Sequence, residues 1–486
     1  MLSQIESGLT IVSVSLFCLT LLGLITRVFP GPFWAKFSRL WYLGKAQKGD
    51  FQATNIKLHQ KYGSIVRIAP NELSIDDPNA LNTVYGHGTH FTKSPWYEAS
   101  GQPNVSNLFT ERNSRNHATL RRKVASLYSM TTLLAMESCV EECTRIMIKR
   151  MEEFSENRKV FNMQHWLQCY AFDLIGLITV AKRFGFLDAG KDLHGLFPSL
   201  ESYLRYSVNI GIYNETHPLL HKLIRYLGQG SSHLLSFTEE QIKNRAEVLN
   251  DAEKRPGLDD DFLAKTLQKH QDDPQNFTMQ DVTVTCLTNI GAGSDTTSIS
   301  LCAIMWYLLR NPTKYSKLQE EIDTMADISL PVTFKDAQKM PYLQAVIKEA
   351  LRLHPATGLP LGRVVPKGGA VIANAYIPEG TVVGINTWVA HHNTDVFGPD
   401  AAAFRPERWL KSEEESKRME KYYIPFGHGS RTCVGKNISL MEISVLIPEL
   451  VRRFNFTLAD PDSELKSENV WFVKQKNVLC QVSKRQ

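Results

Sequence analysis

The 486-residue chain is short of the features that announce most function classes. Its eight cysteines include no CxxC pair and follow no regular spacing, which excludes a zinc ribbon and a disulfide framework. No GxGxxG run stands at a strand-to-helix turn. Gly291-Ala-Gly-Ser-Asp-Thr lacks the final glycine and lies inside a helical pattern, so the chain cannot itself collect electrons from a nicotinamide. Net charge is only +5 with no long basic block, which gives no reason to expect nucleic acid. Gly/Ser-rich and Pro-rich linkers, low-complexity tracts and internal repeats are missing too. With 43% hydrophobic and 22% charged residues the chain can bury a large core, and one catalytic unit over residues 31–486 is expected.

What precedes that unit is a single apolar run. Leu9 to Ile25 carries no charge, which at about 1.5 Å per residue barely spans a bilayer core, and Val28 and Phe29 can extend it. No Lys or Arg precedes the run and no small-x-small cleavage site follows it, while Arg27, Lys36, Arg39, Lys45 and Lys48 come just after. Residues 1–30 are therefore expected to form a membrane anchor rather than a cleaved signal peptide, with the body on the cytosolic side. Pro30 and Pro32 stiffen the exit.

The body reads as mainly α with a small β region. Ser64–Ile75 alternates apolar residues around Pro70-Asn71, and Val371–Ile385 has Ile377-Pro-Glu-Gly380 between β-rich runs, so both are expected as hairpins. Elsewhere helical spacing prevails. Cys139 and Cys143 form a packing pair at i, i+4, and the charged run Lys411–Lys421 is a solvated segment.

One cysteine stands apart. Pro425 to Gly435 (PFGHGSRTCVG) is a Gly-rich loop, followed by a strongly helical run from Lys436. Glycines 427, 429 and 435 let backbone close around the Cys433 sulfur, while the helix N-terminus and Arg431 favour the thiolate that ligates iron. Other readings compete: a buried small hydrophobe, a cysteine hydrolase using His428, or a phosphate loop. The last fails because five residues separate Gly429 from Gly435 and Asn437 stands where Ser/Thr is needed. Covalent haem attachment would need CxxCH, which is absent.

A second unusual segment interrupts the longest helix. Thr278-Met-Gln-Asp281 reads as a capping box opening a helix that runs to Arg310, stopped by Asn311-Pro312. In its middle, Gly291-Ala-Gly-Ser-Asp-Thr-Thr297 places two helix-weakening glycines beside a carboxylate. Either the glycines admit a ligand while Thr and Asp open the backbone ladder and pass protons, or the segment is a small-residue helix–helix contact. Further on, Pro341–Leu353 is a helix with Glu349 and Arg352 on one face, by default a surface salt bridge.

Phe426-Gly-His-Gly429-Ser-Arg431-Thr-Cys433-Val-Gly435 resembles the haem-binding signature FxxGxRxCxG of the cytochrome P450 family, with every fixed position filled. Ala292–Thr297 resembles its AGxDTT motif, Glu349 and Arg352 its ExxR, and Phe404-Arg-Pro-Glu-Arg408-Trp its PER element. The resemblance covers essentially the whole chain after the anchor. It implies the cytochrome P450 fold behind one N-terminal transmembrane helix, and haem b with the Cys433 thiolate as axial ligand in a loop containing Phe426 and Gly435. His117, Arg121, Arg363 and Arg431 would bind the haem propionates. Asp295 would bring protons from solvent and Thr296 would pass them on. Glu349, Arg352 and Arg408 would form one buried structural network.

The resemblance further implies a monooxygenase acting on a hydrophobic small molecule, fed by NADPH through a separate cytochrome P450 reductase and possibly cytochrome b5. Arg121–Lys123, Arg431 and Lys436 would present a basic face to that acidic partner. The expected location is the endoplasmic reticulum membrane, single-pass. Asp295 and Thr296 argue against a haem-thiolate isomerase or dehydratase and against a non-catalytic ligand binder. Asn437-Ile-Ser matches a glycosylation sequon but overlaps the haem segment, consistent with a cytosolic body. Ala390-His-His-Asn393 departs from the His-Arg-Asp common in fungal relatives. The stretches RRKVASLYSM and GKNISLMEIS resemble filamentous-fungal members of the pisatin-demethylase-like kind, many of which serve terpenoid, polyketide or alkaloid pathways.

Overall fold

The computed structural model describes residues 29–103, 105–226, 233–250, 261–325 and 331–485. The expected anchor run, Leu9–Ile25, lies outside them. Among the described residues no helix is long and apolar enough to cross a membrane. Phe29 and Pro30 already belong to the folded body: Phe29 is buried, and the Pro30 carbonyl accepts the Arg67 N–H at 2.7 Å.

The architecture is helical around one long axis, the central helix Met279–Leu309. Its capping box forms as expected, with the Thr278 hydroxyl and the Asp281 carboxylate each taking the other's backbone N–H. Against it pack the helix Met163–Val180, buried on almost every side, and the helix Lys436–Arg453 that follows the Cys433 loop. Thr297 Oγ1 donates to Ser439 Oγ at 3.2 Å, which fixes the middle of the central helix over the start of the latter.

A five-stranded sheet forms the β region, in the order Ile65–Ala69, Glu72–Ile75, Val382–Ile385, Arg363–Val364, Thr92–Lys93. The hairpin at Pro70-Asn71 is present. The second expected hairpin is not built as the sequence suggested. Its turn is Ala373-Asn374, both at positive φ, joining Ala370–Ile372 to Ala375–Ile377. The turn at 377–380 leads instead into Val382–Ile385, which pairs in parallel with Glu72–Ile75. Two residues in left-handed conformation make the tighter reversal, and the partner of the following strand comes from three hundred residues earlier. Cys143 is buried and Cys139 half-buried in the main core, and the charged run carries a surface helix, Glu413–Glu420, held by Met419.

Candidate active site

The loop Phe426–Cys433 is closed by the Cys433 N–H on the Phe426 carbonyl at 2.8 Å. Gly427 and Gly429 both adopt positive φ, and a Cβ on Gly429 would stand 1.9 Å from the Tyr85 carbonyl oxygen. Close approach to Tyr85, rather than to the sulfur, is what demands glycine there. Cys433 retains accessible surface, yet protein surrounds it closely enough for desolvation to push its thiol up. Both hold if Sγ looks into an enclosed cleft. The N–H groups of Gly435 and Lys436, with the charges of Arg121 and Lys436, act in the opposite sense and favour the thiolate. Arg431, expected to favour the thiolate and to bind a propionate, is anchored by backbone carbonyls, those of Glu111 (2.6 Å) and Arg112 (3.1 Å). His428 is engaged by Asn82 at 2.9 Å, so no Cys–His hydrolase pair forms.

The central helix runs unbroken through 291–297, so the expected opening of its backbone ladder is absent. Nor do its glycines make room for a ligand. A Cβ on Gly293 would meet Ile175 Cδ1 at 3.0 Å and one on Gly291 would meet Leu234 at 3.2 Å, so both serve helix packing. The accessible residue is Ala292, exposed in mid-helix, with Thr288 and Thr296 half-buried one turn to either side. Thr296 Oγ1 donates to the Ala292 carbonyl at 2.8 Å, leaving its lone pairs for the cleft. Asp295, which the resemblance gives the part of bringing protons from solvent, is itself buried. It is 3% exposed, accepts from Gln168 Nε2 at 2.6 Å and pairs with Lys474 Nζ at 3.5 Å. A carboxylate so deep needs such donors, and both come from distant segments.

The four side chains read as anion binders converge. His117 and Arg121 share the helix Ser114–Val124, where Asn113 caps the first turn. Arg121 Nη1 donates to the Thr432 carbonyl at 2.7 Å, next to Cys433. Arg363 is buried on a strand between Tyr85 and Tyr97, and a cavity of about 310 Å³ is lined by Arg363, Arg431, Ser114 and Ser430. Burial together with the charges of Arg431, Lys93, Arg121 and Arg363 holds the His117 imidazole down to about 3. Burial and Arg363 depress Arg431 to about 10. Glu111 offsets part of this charge. Cations gathered with so little opposing charge fit a ligand with anionic arms, and a lone thiol beside them fits an iron ligand. Lys93 was missed. It is 5% exposed, its Nζ donates to the Phe109 carbonyl and lies over Tyr97 and Phe109, and burial drives its amine well down. A single cation within the aromatic stretch Phe91–Tyr97 was the available signal.

Behind the loop, Glu349 and Arg352 are wholly buried, and Arg408 joins them through Nε on Glu349 Oε1 at 2.8 Å. Trp409 Nε1 completes the carboxylate at 3.0 Å, and Arg352 Nη1 reaches the carbonyls of His391 and Ala401. His391, in the segment that departs from fungal relatives, accepts the Ile424 N–H at 2.8 Å and so ties this network to the Cys433 loop.

The model of the family described as Cytochrome P450 matches residues 29–481. This chain belongs to the cytochrome P450 family. It is 39% identical over 453 residues to a pisatin demethylase of Fusarium vanettenii, covering 92% of this chain and 87% of that one. It is also similar to the cytochrome P450 monooxygenase pkfB of Emericella nidulans, 32% identical over 498 residues covering 100% and 96%. The cytochrome P450 monooxygenase gsfF of Penicillium aethiopicum is 33% identical over 494 residues, covering 98% and 96%. As a cytochrome P450 the protein is a haem-dependent monooxygenase, with thiolate ligation of the haem and a separate redox partner. Of the basic residues expected to face that partner, Lys123 is instead paired with Asp281 at 3.1 Å, and Arg121 and Arg431 are largely occupied inside. Arg122 and Lys436 remain exposed.

Proposed function

We propose that Cys433 is the axial ligand of haem b, and that His117, Arg121, Arg363, Arg431 and Lys93 hold its propionates. What carries this reading is the convergence of those cations, with Arg121 bonded to the Thr432 carbonyl next to Cys433. Haem supplies the reductive activation of O₂, one atom entering a C–H bond and the other leaving as water. The protein's own part is to hold, exclude and hand on protons. Thr296 keeps an oxygen turned to the cleft because its proton is committed to Ala292. Asp295 keeps an acid group one residue away, orientated by Gln168 and Lys474.

Electrons come from NADPH through a cytochrome P450 reductase, with cytochrome b5 as a further donor, docking over Arg122 and Lys436. The substrate is a hydrophobic small molecule of fungal secondary metabolism, a terpenoid, polyketide or alkaloid. Relatives named as a pisatin demethylase and as fungal monooxygenases support that class. Its walls are aromatic: Trp96 stacks on Trp471 with centroids 4.7 Å apart, and Gly211 leaves room for the Trp96 ring.

The protein works at the endoplasmic reticulum membrane, anchored through residues 1–30 with the body cytosolic. Phe33, Trp34, Phe37 and Leu40 are exposed just after that run, and Leu219, Leu223 and Tyr226 are exposed on the helix His217–Tyr226. Arg39 joins the two segments, pairing with Glu215 and lying 4.4 Å over Tyr213. Together they make one apolar face suited to lipid.

The test of the haem assignment is the absorption spectrum of the reduced protein with carbon monoxide. Wild type should show the strongly red-shifted Soret band of thiolate ligation, and Cys433→Ser should lose it. A band typical of histidine ligation in wild type would refute the assignment.

A further inference from the structure

Asn393, which stands where the fungal pattern has an aspartate, uses both ends of its amide. Its Oδ1 caps the short helix Thr394–Phe397, accepting the N–H groups of Asp395 at 3.0 Å and Val396 at 3.2 Å. Its Nδ2 donates to Asp76 Oδ1 at 3.0 Å, across 317 positions of sequence. An aspartate could make the same cap but has no hydrogen to donate when ionised. Tyr422, wholly buried, donates its hydroxyl to the same Asp76 oxygen, also at 3.0 Å.

These bonds join three segments that are far apart in the chain. Asp76 follows the strand Glu72–Ile75, and its own N–H is fixed on the Ser64 carbonyl at 2.8 Å. The helix that Asn393 opens ends at Phe397, whose carbonyl accepts Arg408 Nη1 at 2.6 Å, so it is tied to the Glu349 network. Tyr422 stands just ahead of Ile424, which His391 holds, and of the Cys433 loop. Asp76 thus fastens the sheet to both ends of the stretch that leads into that loop.

The carboxyl of Asp76 is crowded by its own sign. Asp77 beside it and Asp395 on the capped helix face it, and Tyr85 lies near Tyr422. Burial is the largest effect and, with those two acids, raises Asp76 to about 6 against the pull of Asn393 and Tyr422. Both donors meet Oδ1, so a proton on Oδ2 leaves both bonds in place.

We propose that Asp76, Asn393 and Tyr422 form a pH-responsive clasp between the sheet and the Cys433 side of the molecule. The clasp has room for one acid, and an amide stands at 393 for that reason. Its stabilising effect is complete below about pH 4 and is lost as pH rises through about 6, because the folded state holds a proton that the unfolded chain has released. Nothing in it depends on what Cys433 binds.

Denaturant unfolding of the full-length holoenzyme at two pH values tests this. Asn393→Asp sets a second carboxyl against the first, and the two must share a proton. The rise in its unfolding constant over wild type should be about ten-fold or more larger at about pH 8 than at about pH 5, one proton being worth ten-fold per pH unit. Adding Asp76→Asn exchanges amide and carboxyl, restores the donor and should remove that pH-dependent loss. Asn393→Ser, which keeps a cap without adding an acid, should follow the pH dependence of wild type. Equal losses for Asn393→Asp at both pH values, or a loss that Asp76→Asn does not relieve, would overturn the proposal. Should Asn393→Asp not fold at the higher pH, loading it with haem at the lower one and jumping upward reads the same loss as a faster decay of Soret absorbance.

Discussion

Single side chains here are governed by what burial does to charge. Arg431 illustrates this, depressed to about 10 by burial and by Arg363, with Tyr97 and Glu111 offsetting only part of the effect. An anionic ligand relieves that repulsion, so Arg431→Ala should leave the fold intact and weaken the hold on haem. The expected outcome is haem transfer to an acceptor apoprotein about ten-fold faster or more, one lost charge-assisted contact being worth roughly 1.5–3 kcal/mol. An unchanged rate would mean that Arg431 does not bear on the propionates. His354 shows the same physics without function. It is 1% exposed, donates Nε2–H to the Val473 carbonyl at 2.8 Å, and burial lowers its imidazole to about 4. The folded state thus accommodates the neutral ring. Its contribution to stability is complete above about pH 6.5 and falls, by up to about 1.4 kcal/mol per pH unit, as pH drops towards 4. His354→Gln, which can still donate to Val473, should flatten the acid limb of a pH–stability curve, and an identical limb would contradict this.

At the scale of elements, the central helix does two jobs with one motif. Its glycines close it onto neighbouring helices while Ala292 stays exposed and Thr296 half-buried. Gly293→Val would drive branched methyls into Ile175, and overpacking of this sort costs about 1–3 kcal/mol. The expected result is a lower denaturant midpoint with the reduced carbon monoxide spectrum retained at low denaturant. Lost spectrum at full stability would return Gly293 to the ligand side. The Glu349–Arg352–Arg408 cluster is an element-scale device too. A buried, fully hydrogen-bonded carboxylate between two guanidinium groups is weak as net stabilisation but intolerant of losing one member, which suits a part that fixes loop position.

For the whole molecule, the exposed apolar side chains around Trp34 and Leu223 form a candidate lipid contact. If the face around Trp34 and Leu223 meets lipid, protein lacking residues 1–28 should still bind vesicles of neutral phospholipid. Replacing Phe33, Trp34, Leu219 and Leu223 by Ser should abolish that binding in a flotation assay without altering the carbon monoxide spectrum. Equal flotation of both forms would place the lipid contact elsewhere.

Family, fold class and ligand loop were readable from the chain alone because each is local. Ten consecutive residues hold Cys433 between turn glycines and a helix start, a capping box needs four residues, and Glu349 and Arg352 need one turn of helix. What only the tertiary structure decided involves partners distant in sequence. Arg121 meets Thr432 across 311 positions, and Gln168 meets Asp295 across 127. Lys93 joins the cation cluster, Lys123 leaves the basic face for Asp281, and Val382–Ile385 pairs with Glu72–Ile75 rather than with its neighbour. The reason is physical. Local pattern fixes which backbone a segment adopts, whereas the charge state and partner of a side chain depend on everything that folding packs around it.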